Sequence, residues 1–240
     1  MKYLDRSKLE HFDVVGFRSG VPYPWANPQG LLTVEGFEEL RRRLPEKSLF
    51  DAQFGVERAY GQTPHDRLSL EYRPGLDIAP AWQEFIDELR GPVYAKFLRR
   101  TFGRGSLALT FHWHYTPRSC SVSPHCDALR KLGSHIFYLN GSDDWQPSWG
   151  GQTLVLDDHG RFDRKSAPGF DELDEEGRSE ILDNRSFLFC RTGNSWHGVR
   201  EITCPEGAYR KAFIVVVEDK IRSLVHTVVD RVRGKKRSRY

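Results

Sequence analysis

"SLALTFHWHYTP", residues 106–117, is where the pattern of this chain changes. Leu107, Leu109, Phe111, Trp113 and Tyr115 alternate with Ala108, Thr110, His112 and His114. A period of two sends alternate side chains to opposite faces, so this is a strand with one wholly apolar-aromatic face. Before it the period is helical. Thr33 has the chemistry of a helix N-cap, followed by Val34, Phe37, Leu40 and Leu44 at helical spacing. From Pro80, the side chains of Trp82, Phe85, Ile86 and Leu89 share one face; Gly91-Pro92 interrupts, and Val93, Phe97 and Phe102 resume the pattern. "VPYPWANPQGLL" (21–32) is proline-rich and extended, and 58–77 carries turn signals without a helical period.

After residue 117 short strands dominate: 134–139, 151–157, 185–191, 196–201 and 210–218. Between them, 158–184 is polar and acidic with no clear period. Ile221, Leu224, Val225, Val228, Val229 and Val232 form a final amphipathic stripe. Helices first and many short strands later predict a helix-buttressed, mostly antiparallel double sheet, not a βαβ fold. No GxGxxG or GxxxxGK stands between a strand and a helix. One domain over 1–240 is expected: helical support (1–105), a β core (106–220), a C-terminal helix (221–232) and a basic tail (233–240).

The chain has 240 residues and 38% apolar content, enough for one sizeable core. No apolar run approaches the ~20 residues that span a bilayer. The opening "MKYLDRSKLEHFD" lacks the apolar stretch of a secretory signal. Cys120, Cys126, Cys190 and Cys204 show no CxxC spacing, which favours a reduced, cytoplasmic protein over a disulfide scaffold. Net charge is +3, but the last ten residues carry six basic groups and no acidic one, leaving the other 230 at −3. Such a tail can touch nucleic acid or anionic lipid; a solvated terminus is the commoner outcome, and a basic end is not the basic face that duplex binding needs.

The chemistry concentrates in "SVSPHCDALRKLGSHIFYLN" (121–140), where His125 and Asp127 stand two apart. Nine histidines and 33 acidic residues make about one such pair expected by chance, and Ser-Pro-His-Cys-Asp is also ordinary loop chemistry. On an extended backbone, however, positions i and i+2 point the same way, so an imidazole and a carboxylate can take adjacent positions on one metal. "NSWHGVRE" (194–201) offers His197 as a third ligand. Two histidines and one carboxylate with open positions are the facial triad of non-haem Fe(II) sites, whereas structural zinc wants four closed ligands. Cys126 points away on that backbone. His112 and His114 share a face and compete as ligands.

From about 106 to 218 the chain resembles the 2-oxoglutarate- and Fe(II)-dependent oxygenases, within them the prolyl 4-hydroxylase-like branch. The matching pieces come in order: "YTPRSCSVSPHCD" (115–127), "IFYLN" (136–140), "WGGQTLVL" (149–156), "NRSFLF" (184–189) with "SWHGV" (195–199), and "YRKAFIVVV" (209–217). "YPWANPQGLLTVEGFEELRRRLP" (23–45) resembles the helical lead-in of such enzymes more loosely. The resemblance implies a double-stranded β-helix, or jelly roll. It implies Fe(II) held by His125, Asp127 and His197, with 2-oxoglutarate chelating through its 1-carboxylate and 2-keto oxygens and one position left for dioxygen. It assigns Arg210 to the 5-carboxylate, which suits a planar guanidinium fork; Arg200 is the alternative, close to His197. Tyr138 matches the tyrosine that bonds the 5-carboxylate and Tyr115 one near the metal-bound end, the alternative for each being an ordinary core tyrosine with a satisfied hydroxyl. Thr153 can line the same barrel, and Gly150-Gly151 serve the backbone.

The implied reaction is hydroxylation of a C–H bond with release of succinate and CO2. The carboxylate at Asp127 speaks against halogenation, for which related enzymes carry a small residue there. The substrate expected is a small metabolite or amino-acid side chain. The rival readings are a peptidyl hydroxylase acting on a protein and a non-catalytic jelly-roll sensor. Membrane contact is not expected, and oligomeric state is not readable. Phe162 and Phe170 are apolar anchors by which 158–184 can fold as a lid.

Overall fold

The computed structural model describes residues 1–220, so the stripe at 221–232 and the basic tail lie outside the described residues. Five α-helices, interleaved with three short strands, lie before residue 103: α1 (Arg6–Glu10), α2 (Val14–Arg18), α3 (Val34–Arg42), α4 (Pro80–Arg90) and α5 (Pro92–Phe102). Thr33 caps α3, its hydroxyl accepting the Gly36 N–H at 3.0 Å. Gly91 ends α4, and Pro92 opens α5. The short α1 and α2 carry too few apolar positions to show a period; each starts on an aspartate cap instead, Asp5 and Asp13.

The strands are β1 (Trp25–Ala26), β2 (Asp51–Gln53), β3 (Arg67–Glu71), β4 (Leu107–Thr116), β5 (Val122–His125), β6 (Lys131–Tyr138), β7 (Leu154–Asp157), β8 (Asp174–Arg178), β9 (Ser186–Cys190), β10 (Trp196–Val199) and β11 (Arg210–Asp219). They form an antiparallel double sheet. One has seven strands in the order β1-β9-β6-β11-β4-β3-β2, and the other has four in the order β5-β10-β7-β8. This is the expected jelly-roll architecture buttressed by helices. Two features differ from the sequence reading. β3 extends the large sheet within the stretch read as turns, 58–77, and β2, just before that stretch, pairs with β3. The excursion 158–184 contains β8, which pairs with β7. β8 reads DEEGR, with exposed and half-buried positions alternating; an edge strand without apolar residues leaves no hydrophobic period to detect.

Three apolar layers hold the sheets in place. Outside the large sheet, Trp82 and Phe85 of α4 pack on Trp113, Phe213 and Phe137, with ring centroids 5.0 to 5.6 Å apart. Between the sheets lie Ile136, Val155, Phe187, Phe189, Val199 and Ala212. Outside the small sheet, Leu154, Leu156 and Trp196 are covered by Leu173, Phe162 and Phe170. Strand parity then places the chemistry. On β4 the odd positions Phe111, Trp113 and Tyr115 face the helices, so His112 and His114 face the space between the sheets. On β11, Phe213, Val215 and Val217 face the helices, while Arg210, Ile214 and Val216 face that same space.

Candidate functional site

A cavity of about 130 Å³ lies between the sheets. At one end stand His125, Asp127 and His197, all buried, with one ligand atom from each within 4.8 Å of the others. His125 ends β5 and His197 sits on β10; the two strands pair with these residues as direct partners. Each imidazole is aimed by its own backbone. His125 Nδ1 lies 2.9 Å from the Ser123 carbonyl, and His197 Nδ1 lies 2.9 Å from the Ser195 carbonyl. A carbonyl only accepts, so Nδ1 carries the proton and Nε2 keeps its lone pair for a metal. Burial pushes both imidazoles below their ordinary pKa, more than Asp127 restores, and for His125 the neighbouring His197 adds to the shift. Both are therefore in the neutral, ligating form.

Burial alone would raise the Asp127 carboxyl, but the Lys131 ammonium, through its charge and its hydrogen bond, holds it well below the usual carboxylate range. Lys131 Nζ donates to Asp127 Oδ1 at 2.6 Å, which leaves the other oxygen to coordinate. Arg191 Nε donates to the Asp127 carbonyl at 3.2 Å and anchors its main chain. Two neutral imidazoles and one ionised carboxylate, with no fourth donor in the group among the described residues, fit an open-sided Fe(II) site. Cys126 points away, its thiol toward the Gly193 carbonyl at 3.7 Å. His112 and His114 line the cavity but do not join the metal-binding group.

At the other end is Arg210, only 5% exposed. Its Nε donates to the Gly151 carbonyl and its Nη2 to Thr153 Oγ1 at 3.3 Å. Its guanidinium lies over the Tyr138 ring, 5.2 Å from the centroid. Among the described residues no carboxylate pairs with it, and burial lowers its pKa. A buried cation without a countercharge is costly unless a ligand supplies the anion. Gly151 makes the approach possible: at φ +93°, a Cβ there would stand 3.1 Å from Arg210 Cδ. The Tyr138 hydroxyl meets Thr153 Oγ1 at 2.7 Å and Ser179 Oγ at 2.9 Å, so Tyr138 and Thr153 brace the arginine from two sides. Arg200, the sequence alternative, lies outside. Its side chain is 58% exposed, rests on the Phe170 ring and reaches Glu175 at 4.0 Å.

Tyr115 is a correction. It faces the helices, 4.3 Å from the Phe50 ring, with its hydroxyl toward the Pro45 carbonyl at 3.4 Å. The alternation that put Trp113 in the core puts Tyr115 there too. The structure also adds residues that no motif flagged. His65 packs its ring 4.6 Å from that of His125, and its Nε2 lies 3.0 Å from Ser123 Oγ. Arg58, His65 and Arg67 line both the inner cavity and an outer vestibule of about 930 Å³. Single polar residues in a turn-rich stretch carry no sequence signal of such placement.

Segment 158–184 is pinned rather than free. Phe170 lies against Gly198, where a Cβ would come within 2.9 Å of its ring, and Ser179 reaches into the Tyr138–Thr153 group. Its outer part reaches the mouth: Arg164 lines the vestibule, and the Ser166 carbonyl accepts from Gln62 Nε2 at 3.5 Å.

Neither a protein-family model nor a curated protein matches the sequence. Solved structures match the fold. A prolyl 4-hydroxylase of Pseudomonas putida superposes with a TM-score of 0.59 at 18% identity, over 89% of this chain and 100% of that one. A prolyl hydroxylase of Trichoplax adhaerens, in complex with a hypoxia-inducible-factor peptide, gives 0.58 at 13%, over 92% and 93%. A non-haem alpha-ketoglutarate-dependent carbocyclase from nogalamycin biosynthesis gives 0.57 at 14%, over 88% and 85%. The chain thus has the jelly-roll fold of the 2-oxoglutarate–Fe(II) oxygenases, prolyl hydroxylases included.

Proposed function

We propose that the chain is a 2-oxoglutarate- and Fe(II)-dependent dioxygenase that hydroxylates a C–H bond of a small metabolite or amino-acid side chain, releasing succinate and CO2. One observation carries this reading: a cavity with three aimed ligands at one end and a buried, uncompensated arginine at the other. Fe(II) with 2-oxoglutarate and dioxygen would supply the oxidising chemistry. The chain's own residues do the rest. His125, Asp127 and His197 hold the metal. Arg210 takes the far carboxylate, and Tyr138 and Thr153 position Arg210. Ile136, Val199 and Ile214 line the cavity with apolar surface that excludes water.

Residues 1–240 act as one catalytic domain in this reading, since the helices share a core with the large sheet. Among the described residues no helix is long and apolar enough to cross a membrane. The four cysteines are free thiols, which suits a reducing compartment such as the cytoplasm. The tip around Arg164 and Ser166 is the part of the excursion that acts as a lid. Trimming it while sparing 171–184 should uncouple 2-oxoglutarate consumption from product formation.

The test is anaerobic Fe(II) titration followed by 2-oxoglutarate-dependent succinate release. One Fe(II) per chain with succinate formation is expected. A chain that binds Fe(II) but neither binds nor turns over 2-oxoglutarate would instead be the non-catalytic sensor.

A further inference from the structure

The vestibule contains charge that the proposed chemistry does not use. Arg58 stands where it joins the inner cavity, half-buried, and its Nε donates to Gln62 Oε1 at 3.3 Å. Among the described residues no carboxylate forms an ion pair with it. Burial first, and then the neighbouring Arg67 guanidinium, pull Arg58 down to about 10, so it stays cationic at neutral pH. The nearby acids are committed elsewhere or stand outside. Asp127 is paired with Lys131, Glu71 lies 3.5 Å from Arg73, and Asp51 and Glu57 are exposed. The throat is thus positive on the side that faces the metal ligands.

The outer wall has a different character. Val56, Tyr60 and Leu129 line the vestibule and are each about half exposed, unusual for side chains of their size. An apolar rim around a cationic throat complements one kind of molecule.

We propose that the vestibule takes a small amphipathic acid, its anionic oxygen group held by Arg58 at the throat and its apolar body resting on Val56, Tyr60 and Leu129. The claim rests on the oxygenase reading only in making this molecule the substrate. It follows that the bond presented to the metal lies within a few atoms of the acid group. Carboxylates and phosphate monoesters share the chemistry that Arg58 reads.

The test uses three probes of one shape: 3-phenylpropanoate, its primary amide and 3-phenylpropyl phosphate. Each is titrated calorimetrically into the full chain under anaerobic conditions with Fe(II) and 2-oxoglutarate present, and 2-oxoglutarate affinity is measured in parallel. The anionic probes should bind about ten- to a hundredfold tighter than the amide, the range of a charge-assisted hydrogen bond. Arg58→Gln should abolish that preference, Arg58→Lys should restore part of it, and 2-oxoglutarate affinity should not change in either. The tighter of the two anions identifies the natural headgroup. Equal binding of acid and amide overturns the proposal, as does an Arg58→Gln variant that loses 2-oxoglutarate affinity to the same degree. If Fe(II) and 2-oxoglutarate fail to bind but Arg58-dependent acid binding persists, the oxygenase reading falls and the acid site stands.

Discussion

The two sheets of this molecule divide its work. The seven-stranded sheet has its longest strands, β4 and β11, of ten residues each, and backs onto α4 through Trp82 and Phe85 and onto α5 through Tyr94 and Phe97. The four-stranded sheet has strands of four and five residues and is backed by Phe162 and Phe170 from an irregular excursion. Yet His125 and His197 belong to the small sheet, and Asp127 follows directly from its edge strand, while the large sheet carries Arg210 and Tyr138. The difference teaches how precision is obtained without a large core. At the end with His125, Asp127 and His197, each side chain or its backbone is fixed by bonds with Ser123, Ser195, Lys131 and Arg191. At the Arg210 end, a cation with no carboxylate partner among the described residues is held by a stiff sheet, by Gly151 and by a tyrosine–threonine–serine group.

That division can be broken or sharpened by substitution. The largest effect is expected from His197→Ala, which should eliminate stoichiometric Fe(II) binding and turnover while the far-UV circular dichroism stays native. A collapsed spectrum would mean that the small sheet does not hold its shape without the ligand. Arg210→Ala comes next. Removing the partner of a buried carboxylate typically costs ~3–5 kcal/mol, so 2-oxoglutarate affinity should fall by roughly two orders of magnitude or more, and Arg200→Ala should change it little. Opposite behaviour would shift the anion site to the strand end after His197. Trp82→Ala should cost about 3–5 kcal/mol of stability in urea unfolding. Fe(II) affinity of the protein that remains folded should stay unchanged, and a parallel loss would show that the two sheets are one mechanical unit. The smallest effect belongs to the tyrosines. Tyr138→Phe should weaken 2-oxoglutarate binding by about tenfold or less, the scale of one hydrogen bond of ~0.5–1.5 kcal/mol. Tyr115→Phe should leave it unaltered.

The same division separates what was legible in the sequence from what was not. β4 reads clearly because Leu107 to Tyr115 alternate without a break, and α4 because Trp82, Phe85, Ile86 and Leu89 share a face. The three clustered side chains were legible because i and i+2 geometry and a distal SWHGV are local patterns. Arg210 is inward-facing by the parity of β11, which its apolar neighbours reveal. The rest depended on tertiary placement. β8 is an acidic edge strand with nothing to bury, and β3 has only Leu68 and Leu70 to mark it. Ser179 supports Thr153 from 26 residues away, and His65 approaches His125 from 60 residues away; neither spacing has a periodicity. Tyr115 lies in the helix-side layer because the alternation of β4, and not the motif likeness, sets which way it faces.

The lone charge on Arg210 also bears on how long the folded chain survives. An anion that neutralises it binds the native state and not the unfolded one, so it protects against unfolding by mass action. A ligand at a hundred times its dissociation constant adds about 2.7 kcal/mol. In a protein of ordinary marginal stability that is a large fraction of the whole. If that anion is the dianion of the proposed function, a cell depleted of it would lose folded chain to proteolysis, and the dianion's concentration would bear on the protein's abundance through the unfolding equilibrium.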